Sequence, residues 1–116
     1  VKIFDVQAQV TDSGEYVLGA EQTGSHGCYL IYGRMGPHEK GRELKAGTGH
    51  EEIFLTIKGQ FVVTCSAAGE TEKASFRLNE GQAFHLTGEK SYRLENGTAS
   101  EAVYVLAGGH SSGGHH

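Results

Sequence analysis

The chain has 116 residues, which suits one domain whose single hydrophobic core needs no disulfide or metal staple. A net charge of −4 with no basic block argues against a nucleic-acid partner. No apolar run approaches the roughly 18 residues of a membrane span, and no basic-then-apolar leader opens the sequence.

Eighteen glycines and one proline, set between short apolar runs, predict many turns and few helices. Lys2 to Val10 alternates loosely, with Ile3, Phe4, Val6 and Val10 apolar. Tyr16 to Leu18 and Cys28 to Tyr32 are short β-rich runs. Gly33 to Gly49 is polar and glycine-rich around Pro37, and is expected to be a loop with at most one ragged strand. Glu52 to Ile57 and Phe61 to Cys65 flank Lys58-Gly59-Gln60, which reads as a tight hairpin. Ala67-Ala68-Gly69-Glu70 reads as a further turn, followed by strands at Ala74 to Leu78 and Gln82 to Leu86. Ser91 to Glu95 and Glu101 to Leu106 are the last strands, and Asn96-Gly97 between them carries a type I′ hairpin signal. Short strands at this spacing, closed by glycine turns, predict an all-β sandwich or barrel.

Residues 1–107 are expected to form this one domain, with 108–116 a Gly/Ser/His-rich tail, native or the remnant of a tag. Cys28 and Cys65 have neither CxxC spacing nor a neighbouring histidine, so they read as small free thiols in a reducing, cytoplasmic setting.

Two stretches carry a family pattern. Glu52 is followed after six residues by Gly59, and Gly81 to Asn96 spans a full second motif. In this the chain resembles the cupins, whose motifs are written G(x)5HxH(x)3-4E(x)6G and G(x)5PxG(x)2H(x)3N. The resemblance implies a cupin-type double-stranded β-helix, or jelly-roll, barrel. In metal-binding cupins two His and the Glu of the first motif, with the His of the second, hold one divalent ion. Here the HxH positions fall on Ala46 and Thr48, or by the longer spacing on Lys45 and Gly47. The second-motif proline, glycine and histidine positions are Thr87, Glu89 and Tyr92. Only Glu52 remains of the four ligands, and one carboxylate does not supply the mixed N/O set of a transition-metal site.

Two histidines offer a replacement. His50 lies two residues before Glu52, so in a strand both face one side. His85 lies in the strand leading into the second motif, where cupins often carry a pocket-facing aromatic. His50, Glu52, His85 and Tyr92 are therefore the expected ligand-binding set. His50, Glu52 and His85 form the candidate set for a divalent transition metal (Zn, Fe, Ni or Mn). Without a metal, Glu52 needs a donor, for which His50, Lys45 and Arg93 are candidates. In the loop before the first motif, Arg34 and Arg42 are placed to grip a carboxylate or phosphate.

Three functions follow from this reading. The first is a cupin domain binding a small polar molecule in its barrel pocket, without the four-ligand metal centre. The second is a metal-dependent oxygenase or isomerase built on the relocated His50/Glu52/His85 site. The third is metal-free acid–base chemistry by Glu52 or His85 with Tyr92. Catalysis itself stays open. The resemblance also implies a homodimer paired through sheet edges and N-terminal strands, with Val1 to Val10 as the candidate segment.

Overall fold

The structure, a computed structural model, describes residues 1–67 and 73–110. The strands are β1 (Glu15–Leu18), β2 (Cys28–Met35), β3 (Lys40–Leu44), β4 (His50–Lys58), β5 (Phe61–Ala67), β6 (Ala74–Leu78), β7 (Ala83–Thr87), β8 (Lys90–Glu95) and β9 (Ala102–His110). One helical turn, α1 (Ala20–Thr23), joins β1 to β2. Among the described residues no helix is long and apolar enough to cross a membrane. The turn Ala67-Ala68-Gly69-Glu70 and the tail histidines His115 and His116 lie wholly or mainly outside the described residues.

The strands form two antiparallel sheets, β1-β2-β9-β4-β7 and β3-β8-β5-β6. Except at β1–β2 and β5–β6, each successive strand changes sheet. That is the jelly-roll route, and the all-β cupin barrel expected from the motifs is the fold found.

The route corrects two turns. Lys58-Gly59-Gln60 is no hairpin, because β4 and β5 belong to different sheets. It is a corner, where Gly59 takes a left-handed φ of 81° and a Cβ would lie 3.0 Å from that of Ala102. Asn96-Gly97 is likewise a crossover between β8 and β9 rather than a type I′ turn. The reason is the Asn96 side chain, which is fully buried. The two Nδ2 hydrogens are shared among the carbonyls of Met35, Gly36 and Ser100 at 3.3, 2.9 and 2.8 Å, and Oδ1 accepts from the backbone and hydroxyl of Thr98. These bonds tie the crossover to the end of β2. The N-terminal segment also departs from expectation, forming only a 3-10 turn at Gln7–Gln9. The last strand runs past Leu106 to His110, because Gly108 and Gly109 pair with β2 and β4.

The space between the sheets is filled by rings. Tyr104 stacks on Phe54 at 4.9 Å, Phe54 meets Phe61 and Phe84 at 5.4 Å each, and Phe84 meets Tyr92 at 5.5 Å. Phe54, Phe61 and Tyr104 are fully buried. A run of aromatic contacts thus crosses the barrel from one sheet to the other, and each buried ring contributes about 2–3 kcal/mol of burial.

The inward surface of the five-stranded sheet repeats one device. In the row Glu15, Gly33, Tyr104, the Tyr104 ring lies over Gly33 and its hydroxyl donates to Glu15. In the row Tyr29, Gly108, Glu52, the Tyr29 ring lies over Gly108 and its hydroxyl donates to Glu52 at 2.5 Å. In both rows a glycine lets a tyrosine cross one strand and reach a carboxylate on the next.

The outward surface is different. One row across it reads Leu18, Leu30, Ala107, Ile53 and His85. The adjacent row reads Tyr16, Tyr32, Val105, Leu55 and Ala83.

Two expected outcomes follow. Gly33→Ala puts a Cβ 2.1 Å from Tyr104 Cζ inside a packed core. It should lower stability by about 1–3 kcal/mol in urea denaturation, and by less when Tyr104→Ala has removed the ring. Burial, together with Glu52, pushes the Tyr29 hydroxyl above the ordinary tyrosine range, and burial with Glu15 does the same to Tyr104. The unfolded chain then releases these protons at lower pH than the folded one. Their contribution is complete below about pH 10 and declines as pH rises beyond it. The urea midpoint should therefore drop above about pH 10, and the drop should shrink in Tyr29→Phe and Tyr104→Phe.

Candidate functional site

The sequence placed four side chains in one pocket, and the structure separates them. His50 and Glu52 do face the same way from β4, as strand alternation requires. His85 does not join them. On β7 the inward residues are Phe84 and Leu86, so His85 points outward opposite Ile53. Its Nε2 lies 2.6 Å from Glu51 Oε1, with 58% of the side chain exposed. The relocated His50/Glu52/His85 set is thereby dispersed across two faces of one sheet. Tyr92 faces inward from β8 in the other sheet, packed on Phe84 beside Cys65. Burial, with Cys65 adding to it, pushes its hydroxyl above the ordinary range and keeps it neutral.

The group that does assemble is Tyr29, His50, Glu52 and His110, at one end of the five-stranded sheet. Glu52 is 5% exposed, and its donor is Tyr29, not His50, Lys45 or Arg93. Arg93 instead meets Glu43 at 2.9 Å on the outer surface of the smaller sheet. His50 lies edge-on to the Tyr29 ring at 5.7 Å and 5.0 Å from the ring of His110, its partner across the β4–β9 ladder. His110 Nε2 donates to the carbonyl of His26 at 2.7 Å, which ties the turn before β2 to the end of β9. Beside His50, a cleft of about 420 Å3 opens between Thr48, Gly49, Thr87, Gly88 and Glu89.

Neither Tyr29 nor His110 stands out in the sequence. Tyr29 sits in an apolar run, and its reach to Glu52 depends on Gly108, which is 79 positions away in the chain. His110 falls in what reads as a tail. Arg42 also changes role. Its guanidinium donates to Tyr104 at 3.2 Å, to Glu39 at 2.8 Å and to the carbonyl of Arg34 at 2.8 Å. These bonds pin the β3 edge to the sheet opposite instead of offering the group to a ligand.

The four-ligand metal centre of the fold does not fit these residues. Ala46 is buried and offers no donor atom, and Thr48 lies in the turn before β4. The Tyr92 position presents a neutral phenol within the aromatic packing, and Glu52 has committed one oxygen to Tyr29. Among the described residues no three of His, Cys, Asp and Glu gather as a ligand set.

No family model and no curated protein matches the chain. Solved structures do. The Drosophila melanogaster CENP-C cupin domain superposes with a TM-score of 0.60 at 25% identity, covering 66% of this chain and 57% of that one. The chain thus spans less than two thirds of that structure. A cupin protein from Bacteroides fragilis superposes with a TM-score of 0.68 at 14% identity, covering 93% and 86% of the two chains. Oxalate decarboxylase of Bacillus subtilis, described with Mn(II) centres, superposes with a TM-score of 0.69 at 14% identity, covering 86% of this chain and 26% of that one. Two antiparallel sheets on a jelly-roll route, with these likenesses, identify the chain as a small cupin-fold domain.

Proposed function

We propose that this cupin is a binding domain that takes a small polar molecule at one end of the barrel and works without the four-ligand metal centre. The observation that carries this reading is the Glu52 carboxylate. It is 5% exposed and, among the described residues, receives one protein donor, the Tyr29 hydroxyl. A carboxylate accepts about four hydrogen bonds, and one held out of water gains strongly from each. A ligand hydroxyl or amine supplies such a donor, and His50 beside it supplies a second polar contact. The barrel pocket expected from the sequence is replaced by the Phe54, Phe84, Tyr92 and Tyr104 rings. In this reading the ligand enters at the end of the barrel, through the cleft that His50 lines with Thr48, Gly49, Thr87, Gly88 and Glu89.

The donor set does not favour the metal-dependent alternative, since His85 lies on the outer surface. A second reading has its own support. The likeness to Drosophila melanogaster CENP-C, whose structure is also solved bound to CAL1, favours action through a protein surface.

Ligand binding is tested by saturation-transfer NMR with a panel of polyols and primary amines. Binders are expected at millimolar concentration or below. Their signal should fall at least about tenfold in Glu52→Gln, which keeps the Tyr29 bond while removing the charge. No binder, or binders indifferent to both Glu52→Gln and His50→Ala, overturns the reading. Metal independence has a separate check. In a His115→Ala/His116→Ala chain, elemental analysis should find well under one transition metal per chain. A stoichiometric ion that survives chelation refutes it.

A further inference from the structure

The barrel end that holds Glu52 is acidic and has no cation of its own. Among the described residues the ion pairs are Arg42–Glu39, His85–Glu51 and Arg93–Glu43, and none includes Glu52 or Glu89. Glu89 stands on the wall of the cleft beside His50, with Thr48, Gly49, Thr87 and Gly88. Among the described residues no lysine or arginine lines that cleft. The carbonyls of Ala46 and Gly47 lie against Gly88, 3.2 and 3.3 Å from where a Cβ would stand. The cleft wall thus combines a carboxylate with backbone acceptors.

Glu52 itself lacks a counter-charge. Its Oε2 accepts from Tyr29, whose hydroxyl burial and Glu52 hold in the neutral form. A neutral hydroxyl satisfies a lone pair and leaves the net charge uncompensated. A buried carboxylate gains more from a charged donor than from a further neutral one. Glu52 Oε1 takes no hydrogen bond among the described residues. The one fully enclosed side-chain polar atom without a partner there is Thr56 Oγ1, so Glu52 Oε1 keeps an opening toward solvent. The imidazole bonds among the described residues are those of His85 and His110, which leaves the His50 ring available beside that opening.

We propose that the ligand of this site is a protonated primary or secondary amine, whose N–H groups reach Glu52 Oε1 and whose charge Glu89 attracts from the cleft wall. The proposal rests on the reading of the His50 end as a ligand site, and it narrows that reading to one chemical class. An alcohol supplies the hydrogen bond without the charge. A carboxylate or phosphate meets two like charges. A quaternary ammonium carries the charge but has no N–H to donate.

Serinol, glycerol and glycerate share a three-carbon frame and separate these classes by charge. Each is titrated into the isotope-labelled full chain, and its affinity is read from the backbone NMR signals of Thr48, His50 and Gly88. Serinol should bind at least about tenfold more tightly than glycerol, and glycerate should leave the signals unmoved. Glu52→Gln keeps an acceptor for Tyr29 and removes the charge, so serinol should fall to the affinity of glycerol. Glu89→Gln, at an exposed position, should weaken serinol about two- to threefold without affecting glycerol. It also serves as the second variant should circular dichroism show that Glu52→Gln disturbs the fold. Raising salt from about 20 to about 500 mM should weaken serinol and spare glycerol. Glycerol or glycerate binding as tightly as serinol overturns the amine assignment and leaves the binding-domain reading standing. Serinol binding that neither charge removal weakens also overturns the assignment. Signals unmoved by all three probes overturn the assignment together with the reading beneath it.

Discussion

A carboxylate inside a barrel must find a donor, and that requirement organises one whole sheet here. The donor of Glu52 comes from two strands away. The Tyr29 hydroxyl crosses β9 only because Gly108 has no side chain, a Cβ there standing 2.2 Å from Tyr29 Cζ. The same solution at the other end joins Tyr104 to Glu15 across Gly33. Each row ties three strands together through a side-chain bond laid across the backbone ladder. Strand order, register and the position of two glycines are thus mutually fixed, because a one-residue slip on any strand would turn the tyrosine, glycine or carboxylate to the opposite face.

This arrangement also decides what the interior can do. A cupin metal centre needs imidazole nitrogens converging on an open space. Here the inward positions are occupied by Phe54, Phe84, Tyr92 and Tyr104 in mutual contact. The histidine positions of the family pattern are held by Ala46, Thr48 and Tyr92, of which only Tyr92 joins that ring packing. The polar chemistry that remains is displaced to the sheet's end, where His50, Tyr29, Glu52 and His110 meet. Ring packing inside the barrel and polar groups at its end go together, since a buried polar group without partners would destabilise the same core.

The barrel could be read from spacing, and much of its detail could not. Gly59 and Gly81 are visible because left-handed φ at two corners restricts those positions to glycine. Asn96 is visible as a motif position, but its role is not. An Asn-Gly pair looks like a local turn, whereas this asparagine binds carbonyls some 60 residues away. Analogy puts His85 on the pocket side, and the parity of β7 turns it outward. Alternation fixes which residues share a face, but not which face is inner, and for a five-residue strand with both Phe84 and Ala83 apolar the pattern alone does not choose. Tyr29 was hidden for the complementary reason, since its function lies in a pairing between β2, β9 and β4 that no local window contains.

Parity also separates the two surfaces of the large sheet. Inward residues of β2, β9 and β4 build the aromatic core and the tyrosine bridges, while their neighbours, one position along, build the apolar outer rows. A strand buried on both sides reads as a nearly continuous apolar run, and Cys28 to Tyr32 and Ala102 to Leu106 read that way. A half-solvated sheet would have shown polar residues at alternate positions. The continuous runs therefore carry information about a covering layer. The four-stranded sheet covers the inner surface.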